Sequence, residues 1–253
     1  MTISIETSIT SFVSPRGLQT GLILGLTMAS CTTIQQEGER YETALLKDGS
    51  ISHSDYLANV NCNALHASVI GEFGLVENEI SENGVHMIFS EIGDSYIPHI
   101  REVSIEPANR MFVSEDERLA AEAGLVRGSK EYLCDMLNKP SEDRVSALYH
   151  GISYTLARMD HTAQHRKLIV YSDLLETVSI NMLSYQDAPQ RMVDEYDDLR
   201  DKLLAVDSLS RDYAGLEIVF IVPGKDGFIY KVSQFWSRFF GEFGISVDVR
   251  AEY

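Results

Sequence analysis

The sequence predicts an α/β fold, a three-layer α-β-α arrangement around a mostly parallel, Rossmann-like sheet. Two apolar runs, Lys167 to Tyr171 and Leu216 to Val222, are rich in β-branched and aromatic residues. Runs of this kind fit strands buried on both faces, as the central strands of parallel sheets are. From residue 141 onward the pattern alternates α-β-α-β-α-β, which calls for crossover connections and helices on both faces of the sheet. The first run ends abruptly in Ser172-Asp173. Polar groups just past the carboxyl end of such a strand lie at the rim where open α/β sheets bind ligands.

Taken in chain order, residues 32–55 are polar, and Lys47-Asp48-Gly49-Ser50 reads as a turn. Residues 56–80 mix apolar and small side chains without one clean period. Gly84 to Phe89 reads as a strand, and Ile97 to Ile105 as another whose alternation is broken by Pro98. Ser114 followed by Glu115, Asp116 and Glu117 is a helix start, a cap residue with acids in the first turn. Gly124 and Gly128 either interrupt that helix or split it before Pro140. Ser141-Glu142-Asp143 opens the next helix, with Val145, Leu148, Ile152, Leu156 and Met159 on one face. Met182 to Leu209 reads as mostly helical, and Gly215 ends that segment. Residues 223–227 form a loop, Val232 to Phe243 an aromatic-rich helix stopped by Gly244, and Ile245 to Val249 the last strand.

The chain has 253 residues, with 44% hydrophobic and 23% charged residues, the composition of an ordinary globular protein. Its 21 Lys+Arg against 38 Asp+Glu give a net charge of −17. Such a surface repels phosphate backbones, so no nucleic-acid partner is expected, and it attracts cations or the basic face of a protein partner.

The first thirty residues carry one acid, Glu6, and one base, Arg16. The apolar core after Gly17, about 8 to 12 residues, is too short to span a bilayer but has the size of a signal-peptide core. Met28-Ala29-Ser30-Cys31 resembles the lipobox of bacterial lipoproteins, which implies cleavage before Cys31, a lipid on that cysteine and a place in the bacterial cell envelope. The alternative is a cytoplasmic protein with an apolar amino-terminal helix. The expected organisation is therefore a leader over 1–30, a polar tether over 31–55 and one α/β domain over 56–253. Beyond Cys31, Cys62 and Cys134 either pair, as an oxidising compartment allows, or remain buried thiols.

Several residues are candidates for chemistry. Ser146-Ala-Leu-Tyr-His-Gly151-Ile resembles the T-x-L-x-x-A-I pattern of von Willebrand factor A-type (vWA) domains, and Ile169-Val-Tyr-Ser-Asp173 resembles the strand that delivers that family's metal-site aspartate. Leu174 stands where glycine is usual. The resemblance covers Ser141 to Val249, less than half of the chain. The family's first metal motif, D-x-S-x-S, is matched best by Glu91-Ile-Gly93-Asp94-Ser95, with glutamate and glycine as departures. A second framing puts Ser90 in the aspartate place.

The resemblance implies a Mg²⁺ held by Asp173, Ser146, Glu91, Gly93 and Ser95. It also implies a non-catalytic adhesion or assembly module whose ligand face is the sheet rim near Ser146 and Asp173. Without metal, Asp173 and Ser172 either cap the following helix or close a hydrogen-bond network at the strand end. One alternative is a metal-dependent hydrolase or nuclease, in which Asp173 and Glu176 converge with Asp94 or Glu91. Another is a structural domain with a vestigial rim. His161 and His165 read as a solvated pair, and Trp236, Phe239, Phe240 and Phe243 as core.

Overall fold

The computed structural model describes residues 38–50, 60–75, 79–93, 99–108, 113–140, 143–209, 213–222 and 227–253. Six strands form one sheet: β1 (Arg40–Asp48), β2 (Gly84–Ile92), β3 (Ile100–Ile105), β4 (His165–Tyr171), β5 (Leu216–Ile221) and β6 (Ser246–Arg250). Their spatial order is β3-β2-β1-β4-β5-β6, and only the β2–β3 pair is antiparallel. The order reverses between β1 and β4, so the crevice at the carboxyl ends of those two strands is the topological switch point of the sheet.

β1 corrects the expected tether. Residues 40–48 are not an extended spacer but the strand between β2 and β4. Ala44, Leu45 and Leu46 are wholly buried there. The apolar run is only those three residues, yet hydrogen bonds to strands on both sides complete it. The remainder of the expected tether, and the leader with Cys31, lie outside the described residues.

Alternation along the strands divides the core in two. Ala44, Leu46, Ile88, Leu168, Val170, Ile218 and Phe220 face one layer. That layer contains α3 (Leu148–Arg158), a 3-10 turn (Met182–Tyr185), α4 (Gln190–Asp194), α5 (Tyr196–Val206) and α6 (Gly227–Gly241). Leu45, Met87, Phe89, Ile169, Tyr171 and Val219 face the other layer, made of α1 (Cys62–Glu72) and α2 (Glu115–Asn138). Cys62 and Cys134 are joined in a disulfide between these two helices, their Cα atoms 5.3 Å apart.

Local chemistry sets the boundaries. Ser114 and Glu117 form a reciprocal capping box, and α2 then runs unbroken through Gly124 and Gly128. The stretch read as one helix over 182–209 is divided. Pro189 cannot continue a preceding helix, and Glu195 leaves helical geometry between α4 and α5. Gly244, at φ 75°, closes α6 as expected. The helix expected from Ser141 begins only at Leu148. Asp143 instead bridges to Ser50, with its N–H on the Gly49 carbonyl at 3.2 Å, so the chain crosses the rim before turning into α3.

Candidate metal centre at the sheet rim

Strand register places Lys47 of β1 beside Tyr171 of β4. The next residues of each strand, Asp48 and Ser172, therefore meet at the switch point. Asp48 is fully buried. Its Oδ2 accepts hydrogen bonds from the Ser172 hydroxyl at 2.8 Å and the Ser146 hydroxyl at 3.0 Å, and its Oδ1 accepts the Ser50 N–H at 2.9 Å. Burial above all, and then the Asp173 carboxylate nearby, push Asp48 up to about 6. Two carboxylates and several hydroxyls thus share one water-poor crevice.

Two loops deliver the remaining groups. The segment entering α3 is tied to the segment after β4 by the Ser146 N–H on the Thr177 hydroxyl at 2.8 Å and the Thr177 N–H on the Ser146 carbonyl at 3.0 Å. After β4, the Ser172 hydroxyl accepts the Leu174 N–H, and Asp173 Oδ1 accepts the Leu175 N–H at 3.0 Å. Leu174 holds φ at 69°, a left-handed conformation costly for a branched side chain. Its side chain is buried and its carbonyl accepts the Trp236 indole N–H at 2.9 Å, contacts that offset the strain.

Of the residues singled out from the sequence, Ser146 and Asp173 come together, and the upstream carboxylate beside them is Asp48 rather than Glu91. Glu91 is the penultimate residue of β2, one strand farther from β4. It pairs with Lys139 at 2.6 Å and with the buried Lys47 at 3.6 Å. Gly93 serves close packing, since a Cβ there would stand 2.2 Å from Asp143 Oδ2. Ser95 and Asp94 lie outside the described residues. Glu176, expected in the alternative acidic cluster, is fully buried and near enough to feel the Asp48 charge, but its oxygens are committed to backbone N–H groups. Its carboxylate accepts the N–H groups of Tyr149, Val178 and Ser179, serving as a remote cap for α3, which has no side-chain cap of its own. His161 and His165 do not act as a pair: His161 packs on Tyr213, and His165 bonds Glu39 at 3.0 Å.

The missed residue has a signal in the sequence. Asp48-Gly49-Ser50-Ile51-Ser52 reads D-x-S-x-S without substitution, starting at the last residue of β1. Ser52 lies outside the described residues.

No family model and no curated protein matches the chain. Among solved structures it is similar to proximal thread matrix protein 1 from the mussel byssus, with TM-score 0.41 and 13% identity over 85% of this chain and 42% of that one. A variant of the PilB minor pilin from Streptococcus sanguinis gives TM-score 0.45 and 11% identity over 86% of this chain and 58% of that one. The manganese-loaded TRAP protein of Plasmodium vivax gives TM-score 0.35 and 15% identity over 84% and 69%. The chain spans less than two thirds of the first two of these structures.

Proposed function

We propose that the chain is a non-catalytic binding or assembly module of vWA-like fold, with its ligand face at the rim formed by Asp48, Ser146 and Asp173. One observation carries the reading: Asp48 lies buried at the switch point beside Asp173, while Ser146 and Ser172 turn their hydroxyls onto the same carboxylate oxygen. The donors are hard oxygens, the chemistry a small divalent cation such as Mg²⁺ requires. Asp48, Ser50, Ser146 and Asp173 would hold it. The cation would neutralise the two carboxylates and offer a positive point to a protein partner, which the net charge otherwise favours through a basic face.

A hydrolase reading is less well supported. Two-metal hydrolysis needs several converging carboxylates. Here Glu176 is occupied by backbone N–H groups and Glu91 by lysines, and no group of three His, Cys, Asp or Glu converges among the described residues. The Cys62–Cys134 disulfide supports an oxidising compartment, and with the leader it favours attachment to a cell envelope through a lipid on Cys31.

Thermal unfolding with and without millimolar Mg²⁺ tests the rim. A ligand at a hundredfold excess over its Kd adds ~2.7 kcal/mol to the native state. The midpoint rises in the wild type and stays put in Asp48→Ala and Asp173→Ala. An unchanged wild-type midpoint defeats the metal reading. The intact mass of the amino terminus of material from the envelope tests the anchor, and an unmodified chain starting at Met1 contradicts it.

A further inference from the structure

A second site lies on the opposite layer from the rim-forming α3 segment. α1 and α2 leave between them an apolar groove of about 1160 Å³, lined by Ile70, Leu75, Leu119, Ala120, Ala123 and Val126. It runs along α2 from Leu119 to Cys134, a helical length of about 22 Å at 1.5 Å per residue. From Leu119 to the cations at Arg127 and Lys130 it offers about 12 to 17 Å, room for most of a long acyl chain.

The polar groups of the groove are unevenly committed. Glu122 is bound to Arg118 and to the Ser81 N–H, and His66 bonds the Ser129 hydroxyl at 2.8 Å. Toward the disulfide end, Arg127 and Lys130 line the groove three residues apart on one helix face. Among the described residues neither has a hydrogen bond or an ion pair, in a chain with a large excess of acid. Glu131 is the acid nearest them along the groove, and it leaves that end with an excess of one positive charge.

We propose that the groove binds a free long-chain fatty acid, its tail along Ile70, Leu119 and Val126 and its carboxylate on Arg127 and Lys130. An apolar trench with two unpaired cations at one end complements an amphiphile with an anionic head. The free acid is favoured because one groove ending in one pair of cations matches a single chain with a single anionic head. This inference is independent of the rim.

The test uses the full chain and the fluorescence of cis-parinaric acid, with palmitate and hexadecanol as competitors. Parinarate binds saturably, palmitate displaces it, and hexadecanol does so about tenfold less well, the loss of one charge-assisted contact. Arg127→Gln with Lys130→Gln weakens palmitate about tenfold and leaves hexadecanol unchanged. Ala123→Trp, at an exposed groove position, abolishes binding of both without lowering the unfolding midpoint. Absence of saturable parinarate binding overturns the proposal, as does equal displacement by acid and alcohol that ignores the Gln pair. If Ala123→Trp fails to fold, the Gln pair still decides. The rim is unaffected by either result, because its readout is the metal-dependent midpoint.

Discussion

Replacing Asp48 by asparagine should stabilise the metal-free protein while abolishing its response to metal. Asp48 is fully buried and carries a carboxyl pushed from 3.8 to about 6, by burial first and by Asp173 second. The proton is held more tightly in the folded state, so the ionised group opposes folding. That cost is absent below 3.8, grows as pH rises toward about 6, and is complete above it. Roughly two pKa units correspond to about 3 kcal/mol at pH 7. Asparagine keeps the shape but turns one acceptor oxygen into a donor, against the Ser50 N–H on one side or the two serine hydroxyls, which can turn to accept, on the other, and this costs about 1 kcal/mol. The net gain is about 2 kcal/mol, a rise of a few degrees in midpoint for a domain of this size. The assay is thermal unfolding in chelator at pH 7 and at pH 4, then at pH 7 with Mg²⁺. Asp48→Asn should lie above wild type at pH 7 in chelator, lose that advantage at pH 4, and show no shift with Mg²⁺. An Asp48→Asn protein that melts below wild type at pH 7 in chelator would refute the reasoning, since Asp48 would then be a net stabilising hub.

Other regions make separate predictions. The Glu42 carboxylate, bonded to His86 at 2.9 Å, raises the His86 pKa. The pair's stabilisation is therefore full below about 6.5 and is lost as pH rises through the higher folded value, so the stability advantage of wild type over His86→Gln should shrink between pH 6 and 9. A pH-independent difference would show that packing alone is at stake. Reducing the disulfide, or Cys62→Ser with Cys134→Ser, opens a loop of 72 residues and should cost about 4 kcal/mol in denaturant unfolding. Equal midpoints for oxidised and reduced protein would contradict that. Trp236→Phe leaves the buried Leu174 carbonyl without its indole donor and should cost 1–3 kcal/mol, roughly, in the same measurement. A loss within error of zero would mean the strained Leu174 backbone is held by other contacts.

Much of the fold was legible because its signals are local. Lys167–Tyr171 and Leu216–Val222 carry enough β-branched and aromatic residues to mark central strands on their own, and Ser114 with Glu117 marks a helix start by hydrogen-bond chemistry alone. β1 was not legible by that route. Its middle holds three consecutive apolar residues, followed by Lys47 and Asp48, which look polar until the sheet buries them against Glu91 and Ser172. The same blind spot hid half of the site. Ser146 and Asp173 stand out by their neighbours in sequence; Asp48 opens an intact D-x-S-x-S, but the weakly apolar strand before it hides that context, and only the parallel pairing of β1 with β4 brings it to Ser172 across more than a hundred residues. Glu91 drew attention for following a plainly hydrophobic strand, and only the strand order removes it from the crevice. The buried role of Glu176 as a cap for α3 is likewise a tertiary arrangement with no local signature.

Direct Mn²⁺ binding, followed by the loss of the free-ion electron paramagnetic resonance signal, tests the central claim most closely when wild type is set beside Asp48→Ala, Asp173→Ala and Glu91→Gln. The account predicts one saturable site in wild type and in Glu91→Gln, and none in either aspartate variant. Binding that survives Asp48→Ala but disappears in Glu91→Gln would contradict it.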